Sequence, residues 1–182
     1  MVHYYFDFRD ADKQKFQGLL SSLLFQLAGE SDACHEILSL LYTAHGCGAR
    51  EPSDDELIDC LEDMLEQHRQ ATYIIIDAID ECLNTFGLSA HRGKVLKFLE
   101  RLANGRLPHL RICIASRPEV DIRDTLEPLR PLRVSLHEEC GQRKEIHDYV
   151  TKVVGSISSD NQMKEEDRSF VTRILAEESD GM

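Results

Sequence analysis

The chain has no C-x-x-C pair, no apolar run near the ~18 residues of a membrane span, no basic-then-apolar leader and no surplus of positive charge. Each absence excludes a class. Six cysteines (Cys34, Cys47, Cys60, Cys82, Cys113 and Cys140) stand far apart. Their spacing outlines neither a disulfide framework nor a four-ligand zinc site. Several lie in apolar patterns, as Cys113 does in RICIAS, and read as reduced thiols of an intracellular, cytoplasmic protein. HGCG, with His45 and Cys47, offers two ligands without a second pair and reads as an ordinary loop. Acidic residues outnumber basic ones 33 to 21, a net charge of -12. That field repels phosphate, so no nucleic acid and no membrane surface is expected as a nonspecific partner, although a local anion site is not forbidden. Neither an internal repeat nor a low-complexity tract is present.

What is present suits one globular domain, or one and a fragment: 182 residues, 42% apolar and 30% charged. Strand-like and helix-like segments alternate. HYYFDF (residues 3–8) reads as a strand. Phe16, Leu19, Leu20, Leu23, Leu24 and Leu27 recur at i, i+3, i+4, i+7, i+8 and i+11, one apolar helix face. DACHEILSLLYTAHG is a second helix that Gly46 can end. Ser53 followed by Glu56 is a capping box opening a third helix, with Leu57, Leu61, Met64, Leu65 and His68 on one face. His68 reads as a partly exposed helix-end histidine. The strand TYIIID follows, then a helix over about Arg92 to Leu102, the strand LRICIAS and a weaker strand, PLRVSLH. Two amphipathic helices close the chain, one with Ile146, Tyr149, Val150 and Val153, the other with Phe170, Ile174 and Leu175. This alternation predicts an α/β domain with a parallel sheet. YIII and ICIA lack alternation, as expected of strands covered on both faces. The polar stretch GSISSDNQMKEED marks a boundary, giving a core over 1–154 and a following region over 155–182.

YIIIDAIDEC, residues 73–82, raises the chemical question. A β-branched run ends on Asp77, and Asp80 and Glu81 follow within four positions. In an open parallel sheet, ligands bind outside the carboxyl ends of the strands. Clustered carboxylates repel one another unless a cation or donors intervene. A Mg2+ ion, which takes a few carboxylates and keeps several waters, answers that when a phosphate shares the site, and the second acid can orient or deprotonate a water. The plainer alternative is a buried strand ending at a solvated turn. RICIASRPE ends at Ser116 and Arg117. If the two strands are neighbours, ~5 Å apart, Arg117 reaches the same crevice and suits a phosphate. A salt bridge to Asp77 or Glu119 is the alternative.

These segments resemble a known family. YIIIDAIDEC resembles the Walker B segment of NACHT-type signal-transduction NTPases, the STAND branch of P-loop proteins. LRICIASRPEVDIRDTL resembles their sensor strand and arginine, and YYFDFRDADKQKFQGLLSSLLFQL the strand and helix after the phosphate-binding helix. SLHEECGQRKEIHDYV resembles the end of the core, and ESDGM the entry to a helical region. The likeness is greatest to the nephrocystin-like NACHT segments of fungal NOD-like receptors, which often precede ankyrin, WD or TPR repeats. It implies a three-layer P-loop NTPase-like parallel sheet with helices on both faces. It also implies Mg2+ and ATP or GTP as cofactors, with Asp77 and Asp80 on the metal, Asp80 and Glu81 serving the hydrolytic water, and Arg117 sensing the γ-phosphate.

One motif of that family is missing. G-x-x-x-x-G-K-[ST] occurs nowhere, and neither GCG nor HRGK follows a strand and opens a helix. The loop and the first strand would lie upstream of Met1, turning the strand order 5-1-4-3-2 into 5-(gap)-4-3-2. Two functions remain open. One is a partial nucleotide-binding switch of a NOD-like receptor type protein, inactive in hydrolysis alone, whose nucleotide state governs self-association or pairing with other NACHT proteins. The other is a non-catalytic interaction module that has lost its nucleotide.

Overall fold

The computed structural model describes residues 1–84, 91–105, 107–129, 131–134, 140–158 and 165–178. These fall into two compact units, Met1–Pro131 and Leu132–Met182. The first contains β1 (Val2–Tyr5), α1 (Phe16–Ala28), α2 (Asp32–Ala44), α3 (Asp54–Gln67), β2 (Thr72–Asp77), a 3-10 turn (Ile79–Glu81), α4 (His91–Asn104), β3 (Leu110–Ile114) and α5 (Val120–Leu126).

The three strands form a parallel sheet in the order β1-β2-β3. Val2 lies opposite Ile74, and Ile74 opposite Ile112. This is the expected neighbourhood of TYIIID and LRICIAS. The strand expected at PLRVSLH does not appear over Leu132–Val134, and its remainder lies outside the described residues. Among the described residues β3 pairs only with β2.

The apolar face of α1 packs as its spacing predicts, with Phe16, Leu19, Leu20, Leu23, Leu24 and Leu27 all buried. Each such side chain removed from water contributes about 1.5–3 kcal/mol. They join Val2, Tyr4, Ile74 and Ile76 from the sheet with Leu61, Met64 and Leu65 from α3 and Val95, Phe98 and Leu99 from α4 in one core. Gly18 faces the opposite constraint: a Cβ there would stand 2.6 Å from the Asp12 carbonyl oxygen and 2.8 Å from the Tyr4 hydroxyl. α3 opens on its capping box, with Glu56 N–H donating to Ser53 Oγ at 3.3 Å and Ser53 N–H to Glu56 Oε2 at 2.8 Å. Gly46 (φ 64) follows the end of α2 in the left-handed region. His45 and Cys47 have different surroundings. His45 is buried, Nδ1 meeting the Leu41 carbonyl at 2.9 Å, while Cys47 is exposed. His68 caps the end of α3, as expected, but is buried.

The sheet departs from one expectation. β2 alternates along its length: Thr72, Ile74 and Ile76 are buried, whereas Tyr73 is 52% exposed and Asp77 is exposed. On the same open face lie Tyr5, Arg111 and Cys113, all exposed. Among the described residues of the first unit, therefore, helices do not cover both faces. An unbroken apolar run records which side chains tolerate burial, not which elements arrive to cover them.

The second unit pairs α6 (Cys140–Ser158) with α7 (Glu165–Glu178). Val154 and Thr172 are buried, while Tyr149 and Phe170 of the expected apolar faces stay exposed. The polar stretch read as a boundary begins inside α6, at Gly155.

Candidate functional site

Asp77, Asp80, Glu81 and Arg117 all lie at or just beyond the carboxyl ends of β2 and β3. Ile74 and Ile76 fix β2 in the core, so its pleat turns Asp77 to the open face at the strand end. The Asp77 carbonyl accepts from Phe6 N–H at 3.1 Å. Among the described residues no donor meets its carboxylate.

After Asp77 the chain reverses sharply. Ala78 is left-handed (φ 55, ψ 47), an uncommon state for a residue with a Cβ. Ile79 is wholly buried and plugs the turn into the core. That rotation sends the next two acids apart. Asp80 points toward β3, its Oδ1 accepting from Ser116 Oγ at 3.2 Å and from Arg117 N–H at 3.0 Å. Arg117 Nε stands 3.6 Å from Asp80 Oδ2, and the Asp80 side chain is only 8% exposed. Glu81 points the other way, Oε2 accepting the Phe8 amide at 3.0 Å. The three acids thus serve three separate surroundings. Among the described residues no group of three or more His, Cys, Asp or Glu is placed to hold a metal ion.

Arg117 follows β3 at the expected end of the sheet and is exposed. Among the described residues it pairs with Asp80, and not with Asp77 or Glu119, the partners weighed from the sequence. Glu119 meets Arg92 instead. Arg92, in the first turn of α4, is 5% exposed. Its Nη1 donates to Glu119 and lies 3.4 Å from Asp121, while Nη2 donates to the backbone carbonyl of Asp80. On the β1 side, Arg9 forks onto Asp7 with two contacts of 2.9 Å. That fork holds the Asp7 carboxyl down at about 2. Asp7 is also the main cause of the upward shift of Arg9, to which Glu81 adds. Beneath the turn, Cys82 Sγ lies 3.3 Å from the Gln14 carbonyl. Burial pushes this thiol up to about 12, which removes it from nucleophilic chemistry.

The sequence puts Asp77, Asp80, Glu81, Ser116 and Arg117 at one end of the sheet and names Glu119 with a different partner, but it does not reveal Arg92, Asp121 or the Phe8 amide. Arg92 did carry a signal. It falls in register with Val95, Leu96, Leu99 and Leu102, so a charge occupies a core-facing helix position.

The family model described as Nephrocystin 3, N-terminal, matches residues 1–117. No curated protein and no solved structure matches the chain. The matched span takes in the three strands, the acid turn, Arg92 and, as its last residue, Arg117. It covers more than half of the 182 residues, and the chain belongs to the nephrocystin 3 N-terminal family.

Proposed function

We propose that this chain is the Walker B and sensor part of a nucleotide-binding signal-transduction NTPase module, a NACHT-type P-loop protein that takes ATP or GTP with Mg2+. On this reading it does not turn nucleotide over by itself. One observation carries the proposal: the carboxylate of Asp77, met by no donor among the described residues, at the same sheet end as Arg117. That end is where parallel sheets hold their ligands. Membership of the nephrocystin 3 N-terminal family supports it.

The residues fit Mg2+ only in part. Asp77 suits a water-rich ion that takes one or two carboxylates and otherwise phosphate oxygens. At Asp80 a cation would compete with two donors and a guanidinium. When bound, the ion supplies charge neutralisation between phosphate oxygens. Glu81 keeps one carboxylate oxygen beyond the Phe8 amide for a water. What the sequence does not supply is the glycine-rich cradle of backbone amides and its lysine. Phosphoryl transfer depends on positioning and charge stabilisation, so turnover is expected to be at background.

Isothermal titration with Mg-ATP and Mg-GTP, with phosphate release alongside, tests this. Residues 1–182 should bind weakly and hydrolyse nothing. Joining a strand-GxxxxGK[ST]-helix segment to the N-terminus should bring tight binding. In that protein Asp77→Ala should weaken metal-dependent binding, while Glu81→Gln should spare binding and slow hydrolysis. Robust turnover by residues 1–182 alone, abolished by Glu81→Gln, would refute the assignment of parts.

A second reading, a non-catalytic interaction module, draws on a different observation. The open sheet face carries exposed Tyr5 and Tyr73, and β3 has no outer partner among the described residues. Unpaired strand edges template association with other chains. Sedimentation velocity at micromolar concentration should then show self-association independent of nucleotide. A single monomeric boundary would remove this reading.

A further inference from the structure

We propose that Arg92 is a positioning residue that fixes the Arg117 loop against the acid turn, with Asp80 as the joint between them and not as a metal ligand. The linkage stands on its own contacts; its meaning for nucleotide rests on the reading of Asp77 and Arg117 given above. Arg92 joins three parts of the chain. From α4 its guanidinium holds the carbonyl of Asp80 on one side and Glu119 and Asp121, at the start of α5, on the other. The Asp80 carboxylate then holds the hydroxyl of Ser116 and the amide of Arg117. The result is a ring closed by three hydrogen-bonded links and the chain itself: α4 to the acid turn, the turn to the end of β3, backbone from there to the start of α5, and α5 back to α4.

Stability alone does not explain such an arginine. Burying a guanidinium is costly, and replacing a buried ion pair with apolar side chains of similar volume is often neutral or stabilising. The register of Arg92 with Val95, Leu96, Leu99 and Leu102 would accept leucine or methionine. Among the described residues its buried Nε has no hydrogen-bond partner, so the side chain is not placed for its own satisfaction. What the fork does uniquely is reach acceptors on two loops from one rigid plane, which a lysine cannot. Those loops carry Asp77, Asp80 and Glu81 on one side and Arg117 on the other. Nature of the joint matters as well: with Oδ1 taken by two donors, Asp80 sets where Arg117 stands relative to Asp77 and leaves Asp77 as the acid open to a cation.

The test is amide NMR on residues 1–182 with Arg92→Met, Arg92→Lys and the double variant Glu119→Gln/Asp121→Asn. The double variant changes side chains that are each more than 40% exposed, and so keeps the fold even if Arg92→Met does not. The Arg117 amide should lose the downfield shift of a carboxylate-bound proton and exchange with solvent at least about tenfold faster in all three, with amides of α1 and α3 unchanged. Arg92→Lys should not restore it, because charge without the fork leaves one loop unheld. An Arg117 amide unaltered in the double variant and in Arg92→Met overturns the proposal. So does acceleration spread equally over α1, α3 and Arg117, which marks a structural role only. Mn2+ broadening separates the two readings. If signals near Asp77 do not broaden while the Arg117 effect persists, the linkage holds and the nucleotide reading fails.

Discussion

Glycine to alanine, made at two helix positions, should change stability in opposite directions. In a helix interior the change is ordinarily stabilising by roughly 0.5–1 kcal/mol, because glycine loses more backbone freedom on folding. Gly155 lies in α6 with nothing within 4 Å of the site its Cβ would take. Gly155→Ala should therefore give the propensity gain alone. Gly18 lies in α1, where a new Cβ would meet a backbone oxygen at 2.6 Å and the Tyr4 hydroxyl at 2.8 Å. The Tyr4 ring is buried against Phe6, so neither neighbour withdraws without moving β1 or the loop that follows it. Overpacking of this kind costs roughly 1–3 kcal/mol, and subtracting the propensity gain of roughly 0.5–1 kcal/mol leaves a net loss of up to about 2.5 kcal/mol. Urea unfolding by far-UV circular dichroism reads the Gly18→Ala change as a lower midpoint at unchanged slope. Amide exchange within α6 reads the Gly155→Ala change locally, slowed about two- to fivefold. A Gly18→Ala protein more stable than the parent would refute the packing argument, since propensity would then have outweighed geometry.

Acid should weaken the first unit. Two Ser53 hydrogen bonds, backbone first, hold the Glu56 carboxyl at about 2 from an ordinary 4.5, with His45 adding to them. A carboxyl depressed in the folded state stabilises above its unfolded value and loses that contribution as pH falls from 4.5 toward 2. Burial lowers His91, whose Nδ1 accepts the Phe16 amide at 3.3 Å, so its contribution starts to fade below its ordinary 6.5. Urea midpoints at pH 7 and pH 3 should lie closer together in Glu56→Gln than in the parent; an unchanged gap would show that the capping box does not titrate in this range. The thiols should sort by burial. Desolvation raises Cys60 to about 11 and Cys82 to about 12, whereas Cys47 and Cys113 are exposed. Iodoacetamide at pH 8 followed by peptide mass mapping should modify Cys47 and Cys113 first, and early alkylation of Cys82 would contradict the packing beneath the acid turn.

Much of the layout was legible because its causes are local. The leucine spacing of α1, the Ser53–Glu56 box and the limits of TYIIID each follow from residues within a few positions of one another. The placement of Asp77 and Arg117 at one sheet end needed only two parallel neighbours. What escaped depends on partners distant in sequence. Asp80 is linked to Arg117 across 37 positions and Glu81 to Phe8 across 73. Periodicity carries no information at that range. The divergence of the acids has a further cause, the left-handed Ala78, which no propensity would place there. Covering of the sheet escaped as well: the sequence shows that Ile75 is apolar, but its half-exposure depends on which helices pack where.

The register of the sheet also sets an order of assembly. Val2 pairs with Ile74 and Thr72 with Leu110, so neither ladder closes before a long intervening stretch has been ordered. Helices α1, α2 and α3 lie within that first stretch and contact one another across shorter spans of chain than the one joining β1 to β2, so their closure costs less entropy. Parallel pairing waits for such local structure and is intrinsically slow. A ribosome must therefore have delivered residue 117 before the end of β3 can meet the acid turn. Until then Ile74 and Ile76 of β2 lack their neighbours Ile112 and Ile114, the interval in which association with other copies competes with folding. Slow folding steps should therefore report on the junction of Asp77, Asp80 and Arg117, while the leucine face of α1 forms early.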